Sequence, residues 1–174
     1  MIITGCQRSG TATVAHIFGL THEDFINPQN LINWKIEDLI PKLGHGEASW
    51  LAQPFVSLLK QTHKVLHLVR HPLAVLNSLE GIGFWTDDGH ELYRNFIFDH
   101  LPDILSYDDV IEKSLYYWIY WNKPLTLFPR IRIEDIFNAP KLNSRPRANY
   151  TMDTINNSSQ VLKVKKLMRE YLYE

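Results

Sequence analysis

The opening run Met1-Ile2-Ile3-Thr4-Gly5-Cys6-Gln7-Arg8-Ser9-Gly10-Thr11-Ala12-Thr13 leaves the chain little choice of local structure. A short apolar segment enters a polar loop bracketed by two glycines, and the loop opens a helix from about Ser9 onward. Gly5 and Gly10 permit a tight turn and a close backbone approach. The uncapped N–H groups and the positive end of the helix dipole then face the same space. Ser9, Thr11 and Thr13 add hydroxyls, and Arg8 adds a planar fork suited to phosphate or sulfate oxygens. The segment therefore reads as strand, anion-binding loop and helix N-terminus.

It is not the ATPase form of such a loop. Gly5-x4-Gly10 is followed directly by Thr11, so the Lys of G-x-x-x-x-G-K-[ST] is missing. That Lys reaches the β- and γ-phosphates and the hydroxyl after it binds Mg²⁺, so its absence counts against ordinary nucleoside triphosphate hydrolysis.

A chain of 174 residues, 45% hydrophobic and 21% charged, suits one globular domain with a sizeable core. A formal charge of −1 supplies no global attraction to nucleic acid or membrane, so anion affinity must come from local clusters. Three stand out: Arg8, Arg70 with His71, and Arg145 with Arg147. The single cysteine, Cys6, excludes an intramolecular disulfide and a cysteine zinc site, and reads as a small buried loop residue. Ile2 and Ile3 already read as strand, which leaves no room for a signal peptide, and no apolar run is long enough to cross a bilayer. The expectation is a cytoplasmic protein with neither a membrane nor a nucleic-acid partner.

Along the chain, residues 20–25 suggest a short second strand, and 30–39 have weak helical spacing closed by Pro41. Residues 44–47 read as a flexible turn, and 48–61 as a helix. Residues 65–69 form the clearest strand and end at Arg70-His71-Pro72, where Pro72 suits the first turn of a helix over 73–79. Residues 81–88 read as loop. Trp85, Tyr93, Phe96 and Phe98 suit either an apolar substrate pocket or core, and core is the commoner fate of aromatics. A strongly apolar helix follows over 108–121, then a last strand over 125–133 interrupted by Pro129, and an amphipathic helix over 158–173. The repeated order of strand, loop and helix predicts an α/β fold of three layers, a central parallel sheet flanked by helices, with ligands bound beyond the carboxyl ends of the strands. Arg8 and Arg70 then share one edge of that sheet.

Arg70 closes the best strand, and Ser78, eight residues on, lies about a turn and a half into the following helix. Together with the Arg8 loop this pair resembles the sulfotransferases that use 3′-phosphoadenosine 5′-phosphosulfate, in particular small bacterial members. Gln7-Arg8-Ser9-Gly10-Thr11 is similar to the family loop that holds the 5′-phosphosulfate, and Arg70 with Ser78 to its 3′-phosphate site. Weaker similarity runs through Tyr117-Trp118-Ile119-Tyr120-Trp121-Asn122-Lys123 and Arg132-Ile133-Glu134-Asp135-Ile136. Gln7 stands where the family commonly has Pro, Ala12 where it has a second Thr, and the chain is short for the family.

The resemblance implies a P-loop-type fold and transfer of a sulfuryl group to a hydroxyl acceptor, leaving adenosine 3′,5′-bisphosphate. Gln7, Arg8, Ser9, Gly10, Thr11 and Ala12 would hold the 5′ end, Arg70 and Ser78 the 3′ end, and Arg145 a basic loop over the 3′-phosphate. A solvated charge is the plainer reading of Arg145 and Arg147. Arg8 would also stabilise charge growing on the leaving phosphate. The cofactor carries no triphosphate, so no metal is expected.

An attacking hydroxyl needs a general base within hydrogen-bond reach. Glu23, in Thr21-His22-Glu23, resembles the family position best; Glu47 is the second candidate, His22 and His45 the third and fourth. Each has a plain alternative as an ion-paired, capping or surface group. Two other classes remain open: a nucleotide kinase or related phosphotransferase, and a nucleotide-binding domain without catalysis.

Overall fold

The computed structural model describes residues 1–136, 150–171 and 173. Arg145 and Arg147 lie outside the described residues. The chain runs through β1 (Ile2–Thr4), α1 (Thr11–Phe18), β2 (Thr21–His22), α2 (Pro28–Asn33), α3 (Ile36–Leu39), β3 (Glu47–Ala48) and α4 (Val56–Leu59). It continues through β4 (Val65–Val69), α5 (Pro72–Glu80), α6 (Glu91–His100), α7 (Val110–Asn122), β5 (Arg130–Arg132), α8 (Ile133–Ile136), α9 (Met152–Asn156) and α10 (Val161–Glu170).

The five strands form one sheet in the order β2-β3-β1-β4-β5, and every pairing is parallel. A parallel sheet buries both faces, and the side chains divide between them with period two. Ile3, Leu66 and Leu68 pack with Val14 and Ala15 of α1 and Ile133 of α8. Ile2, Val65 and Val69 join the larger cluster, which takes in α7 through Leu115, Trp118 and Trp121 and α10 through Val164 and Met168. The architecture is therefore α/β, an all-parallel sheet flanked by helices.

The path of the chain explains where a ligand fits. From β1 the chain moves to the β2 side of the sheet, and from β4 it moves to the β5 side. The loops after β1 and β4 thus diverge at adjacent carboxyl ends, the crevice where open α/β sheets bind ligands. Asp109 caps α7 by accepting from Ile111 and Glu112 N–H at 2.9 Å, and Pro72 opens α5 at its first position.

The sheet departs from the sequence expectation in two places. Residues 44–47 include the first residue of β3, a two-residue strand that the Gly44-His45-Gly46 turn signal hid. The expected strand over 125–133 shrinks to β5, because Lys123–Leu125 continues α7 as a 3₁₀ turn and Leu127 is solvent-exposed. The helices differ too. Residues 30–39 break into α2 and α3 at Trp34 and Lys35, and 48–61 begin as strand, pass through a 3₁₀ segment containing Pro54 and only then enter α4.

Gly5 sits where the end of β1 presses against β4: a Cβ there would fall 1.9 Å from the Leu68 carbonyl oxygen. Since that obstacle is backbone inside the sheet, Gly5→Ala is expected to destabilise the fold by about 2–3 kcal/mol in urea denaturation.

Candidate anion site at the strand ends

The loop after β1 is built by its glycines and its buried floor. Gly10 adopts φ +99°, a conformation that a side chain would strain, and stands at the N-cap of α1. Arg8, also left-handed at φ 67°, turns the loop outward. Underneath, Ser9 is fully buried: its hydroxyl donates to the Cys6 carbonyl and lies 3.0 Å from the Cys6 sulfur. Burial pushes the Cys6 thiol up to about 11, so it stays protonated and unreactive. The Gln7 N–H donates to the Tyr117 hydroxyl at 2.7 Å, which fixes the loop against α7.

Among the described residues no side chain caps α1, and its first turn holds no acid. Thr13 N–H makes a bond back to the Gly10 carbonyl, so the Thr11 and Ala12 N–H groups precede the helical ladder and face outward. They open on a cavity of about 510 Å³, within the range of ligand pockets. Gln7, Arg8, Gly10, Thr11, Ala12 and Thr13 form one wall, and Arg70 and Ser78 another.

Arg70 and Ser78 meet the loop directly. The Arg8 Nε donates to Ser78 Oγ at 2.8 Å, and an Arg70 Nη1 donates to the Arg8 carbonyl at 2.8 Å. The two positively charged positions read from the sequence as separate points therefore form one cluster. Arg70 is supported from behind: its carbonyl accepts from Trp118 Nε1 at 3.0 Å. The next amide, His71 N–H, donates to Glu134, whose second oxygen accepts from the Tyr173 hydroxyl at 2.8 Å.

Comparison with family models, curated proteins and solved structures gives no match.

Glu23 lies in the same cavity, at φ 53° and largely buried. Its Oε1 is 3.3 Å from His22 Nε2, which is 3.1 Å from Thr11 Oγ1, so a polar chain runs from the mouth of α1 to a carboxylate. Three expected residues are elsewhere. Ser9 points into the floor, and its hydroxyl shapes the loop rather than facing a ligand. Glu47 is in β3 and not at a helix start; it is fully buried, does not line the cavity, and accepts from the Phe25 and Ile26 amides. His45 is exposed, and what it contributes is a backbone carbonyl that accepts from the Met1 ammonium.

Of the remaining lining residues, the sequence offers Tyr93 for an apolar pocket or the core and leaves Trp50, Ile82 and His90 unassigned. Trp50, Ile82, His90 and Tyr93 close the cavity opposite the loop, and burial, then the nearby Glu23 charge, raises the Tyr93 hydroxyl pKa. Trp85, Phe96 and Phe98 pack on the core, as Tyr93 also does, and do not line the cavity.

Burial raises the Glu47 carboxyl to about 7, against the pull of its two amide donors, with Asp24 and Glu23 adding like charge. A raised folded-state value means that protonation favours the fold, fully below the unfolded value of 4.5 and no longer once pH passes about 7. Stability is expected to fall by about 3 kcal/mol from this group as pH climbs through that window. Glu47→Gln should remove that slope in denaturation curves measured across it.

Proposed function

We propose that this protein is a sulfotransferase that takes its sulfuryl group from 3′-phosphoadenosine 5′-phosphosulfate and delivers it to a hydroxyl acceptor. The observation that carries this reading is the convergence of Arg8, Arg70 and Ser78, distant in sequence, on one cavity at the carboxyl ends of β1 and β4. Strand order β2-β3-β1-β4-β5 with the anion loop directly after β1 is in keeping with a P-loop-type fold.

The donor set suits a nucleotide with two separate anionic ends. Two guanidiniums, the Thr11 and Ser78 hydroxyls and the N–H groups at the mouth of α1 are donors, and no lysine is among the described lining residues. Gln7, Arg8, Gly10, Thr11 and Ala12 would hold the 5′ end, with Arg70 and Ser78 at the 3′ end. When bound, the phosphosulfate supplies an activated sulfuryl group on a phosphate leaving group.

The chain's own residues then have distinct tasks. Arg8 and the helix mouth place positive charge where negative charge grows on the leaving phosphate. Glu23 takes the acceptor hydroxyl's proton onto a carboxylate oxygen, and His22 at 3.3 Å steadies that carboxylate. Trp50, Ile82 and Tyr93 provide the apolar side against which an acceptor lies and water is displaced.

The contact between Arg8 and Ser78 favours a second reading, a binding domain that holds a single phosphate, since two separate phosphates require that contact to open. Thermal melts with adenosine 3′,5′-bisphosphate, AMP and ATP separate the readings. At a hundredfold excess over its Kd the bisphosphate is expected to add about 2.7 kcal/mol, and AMP much less. Arg70→Ala and Ser78→Ala should erase the difference between bisphosphate and AMP. Equal shifts from both would favour the single-phosphate module, a Mg²⁺-dependent shift with ATP a kinase, and no shift would end the cofactor assignment. Glu23→Gln is expected to cut kcat by about 10²–10⁴ while the bisphosphate shift persists.

A further inference from the structure

The segment 23–27 carries Glu23 across the end of the sheet, between β2 and α2. Its anchoring is unusual. Asn27 secures the far end by accepting from Asn30 N–H at 2.8 Å. Between the two elements the Phe25 and Ile26 amides reach no backbone partner among the described residues, and Glu47 takes both. Its Oε1 accepts from Phe25 N and Ile26 N at 3.1 Å, and its Oε2 from Ile26 N at 3.1 Å. Two residues along, Ser49 Oγ donates to the Ile26 carbonyl at 2.9 Å. Side chains at Glu47 and Ser49 thus do for 25–26 what a neighbouring strand would do with its backbone.

We propose that Glu47 is a positioning residue: by clamping the Phe25 and Ile26 amides it holds Glu23 in its left-handed conformation, with the carboxylate turned into the cavity beside the anion loop. The proposal rests on the reading of Glu23 as the base, and it changes the task of Glu47 from candidate base to support.

The cost of the arrangement argues for a role beyond stability. Glu47 is fully buried, and the carboxylates of Asp24 and Glu23 lie close enough to add like charge. A carboxyl group is expensive to bury in its ionised form, which is the form that accepts from both amides with both oxygens. A non-glycine residue at φ 53° is itself costly and persists where its surroundings over-determine it. Here the surroundings are β2 on one side and, on the other, the Asn27 and Asn30 side-chain amides, which donate to the Asp24 carbonyl at 2.9 and 3.1 Å, Asn30 also to the Phe25 carbonyl at 2.9 Å, together with the Glu47 clamp on the amides. β3 pairs with both β1 and β2, so the clamp is tied to the same strand that launches the Arg8 loop.

The test compares the full chain with Glu47→Gln, a near-isostere that loses one acceptor oxygen and opposes an amide with an NH₂ group. The three-bond HN–Hα coupling and backbone carbon shifts of Glu23 report its φ by NMR. Turnover is read as release of adenosine 3′,5′-bisphosphate from the phosphosulfate. Expected are loss of the left-handed signature at Glu23, a fall in kcat on the order of a hundredfold from misplacement, and an unchanged melting shift with the bisphosphate. In a Glu23→Gln background, Glu47→Gln should cost no further turnover, whereas a purely structural role gives the same loss in both backgrounds. Retention of the left-handed signature, or an undiminished loss in the double variant, overturns the proposal. If Glu23→Gln alone leaves turnover intact, the base assignment fails, and the backbone measurement still decides whether Glu47 holds the turn. Glu47→Asp, which keeps the charge but is one methylene too short to span both amides, gives the same two readouts if the glutamine variant does not fold.

Discussion

The site depends on three residues of backbone. β1 is only Ile2–Thr4, yet it is paired on both sides, Ile2 standing opposite Glu47 in β3 and Val65 in β4. Its entry is fixed as firmly as its middle: the Met1 ammonium donates to the His45 carbonyl at 2.7 Å, and Ile2 N–H to the Lys64 carbonyl at 2.8 Å. All three side chains are fully buried. A register slip by one residue would exchange Ile2 and Ile3 between the two cores and carry the Arg8 loop away from Arg70. Pairing of β1 with β3 sets the Glu47 clamp, and pairing with β4 sets Arg70. Anion loop, second arginine and carboxylate thus share one origin.

Loops at strand ends are mobile by default, and a site made of loops needs fastening. Here the fastening comes from α7 and the C-terminal half. Tyr117 accepts from the amide of Gln7, Trp118 donates to the carbonyl of Arg70, and Glu134 accepts from the amide of His71. Each bond is worth about 1 kcal/mol net. Their larger effect is geometric, since they fix the backbone on either side of the two arginines before any ligand arrives. The segments 117–123 and 132–136 carry only weak similarity as motifs, and their contribution lies behind the site.

Legibility in the sequence followed the range of the signals. β4 and α5 declare themselves locally, through an unbroken apolar run and a Pro at the first helical position, and their bounds fall close to expectation. Gly5, Gly10, Arg8 and Thr11 did so too, because loop chemistry is encoded within a few residues. β3 did not, because two residues hold no periodicity, and what makes them strand is the presence of β1 and β2 on either side. For the same reason Glu47 read as a helix-start acid and Ser9 as a ligand donor, when β3 buries the first and the Cys6 carbonyl captures the hydroxyl of the second. Trp50 is far in sequence from Ile82, His90 and Tyr93, and only the tertiary fold brings the two stretches to one cavity.

The short bonds inside the cluster bear on how such a site would exchange partners. Two guanidiniums stand together, and each donates to a neutral acceptor, Ser78 Oγ for Arg8 and the Arg8 carbonyl for Arg70. Hydrogen bonds to an ionised acceptor are roughly twice as strong as neutral ones. Under the proposed function, a phosphate or sulfate oxygen would therefore replace either neutral acceptor at a gain. Ser78, released by Arg8, keeps its own hydroxyl proton to donate to the same anion. A neutral ligand of the same shape would make no such gain and would have to break the same contacts. The bonds among Arg8, Ser78 and Arg70 thus hold the arginines in place, and under the proposed function they would also favour a charged ligand over a neutral one.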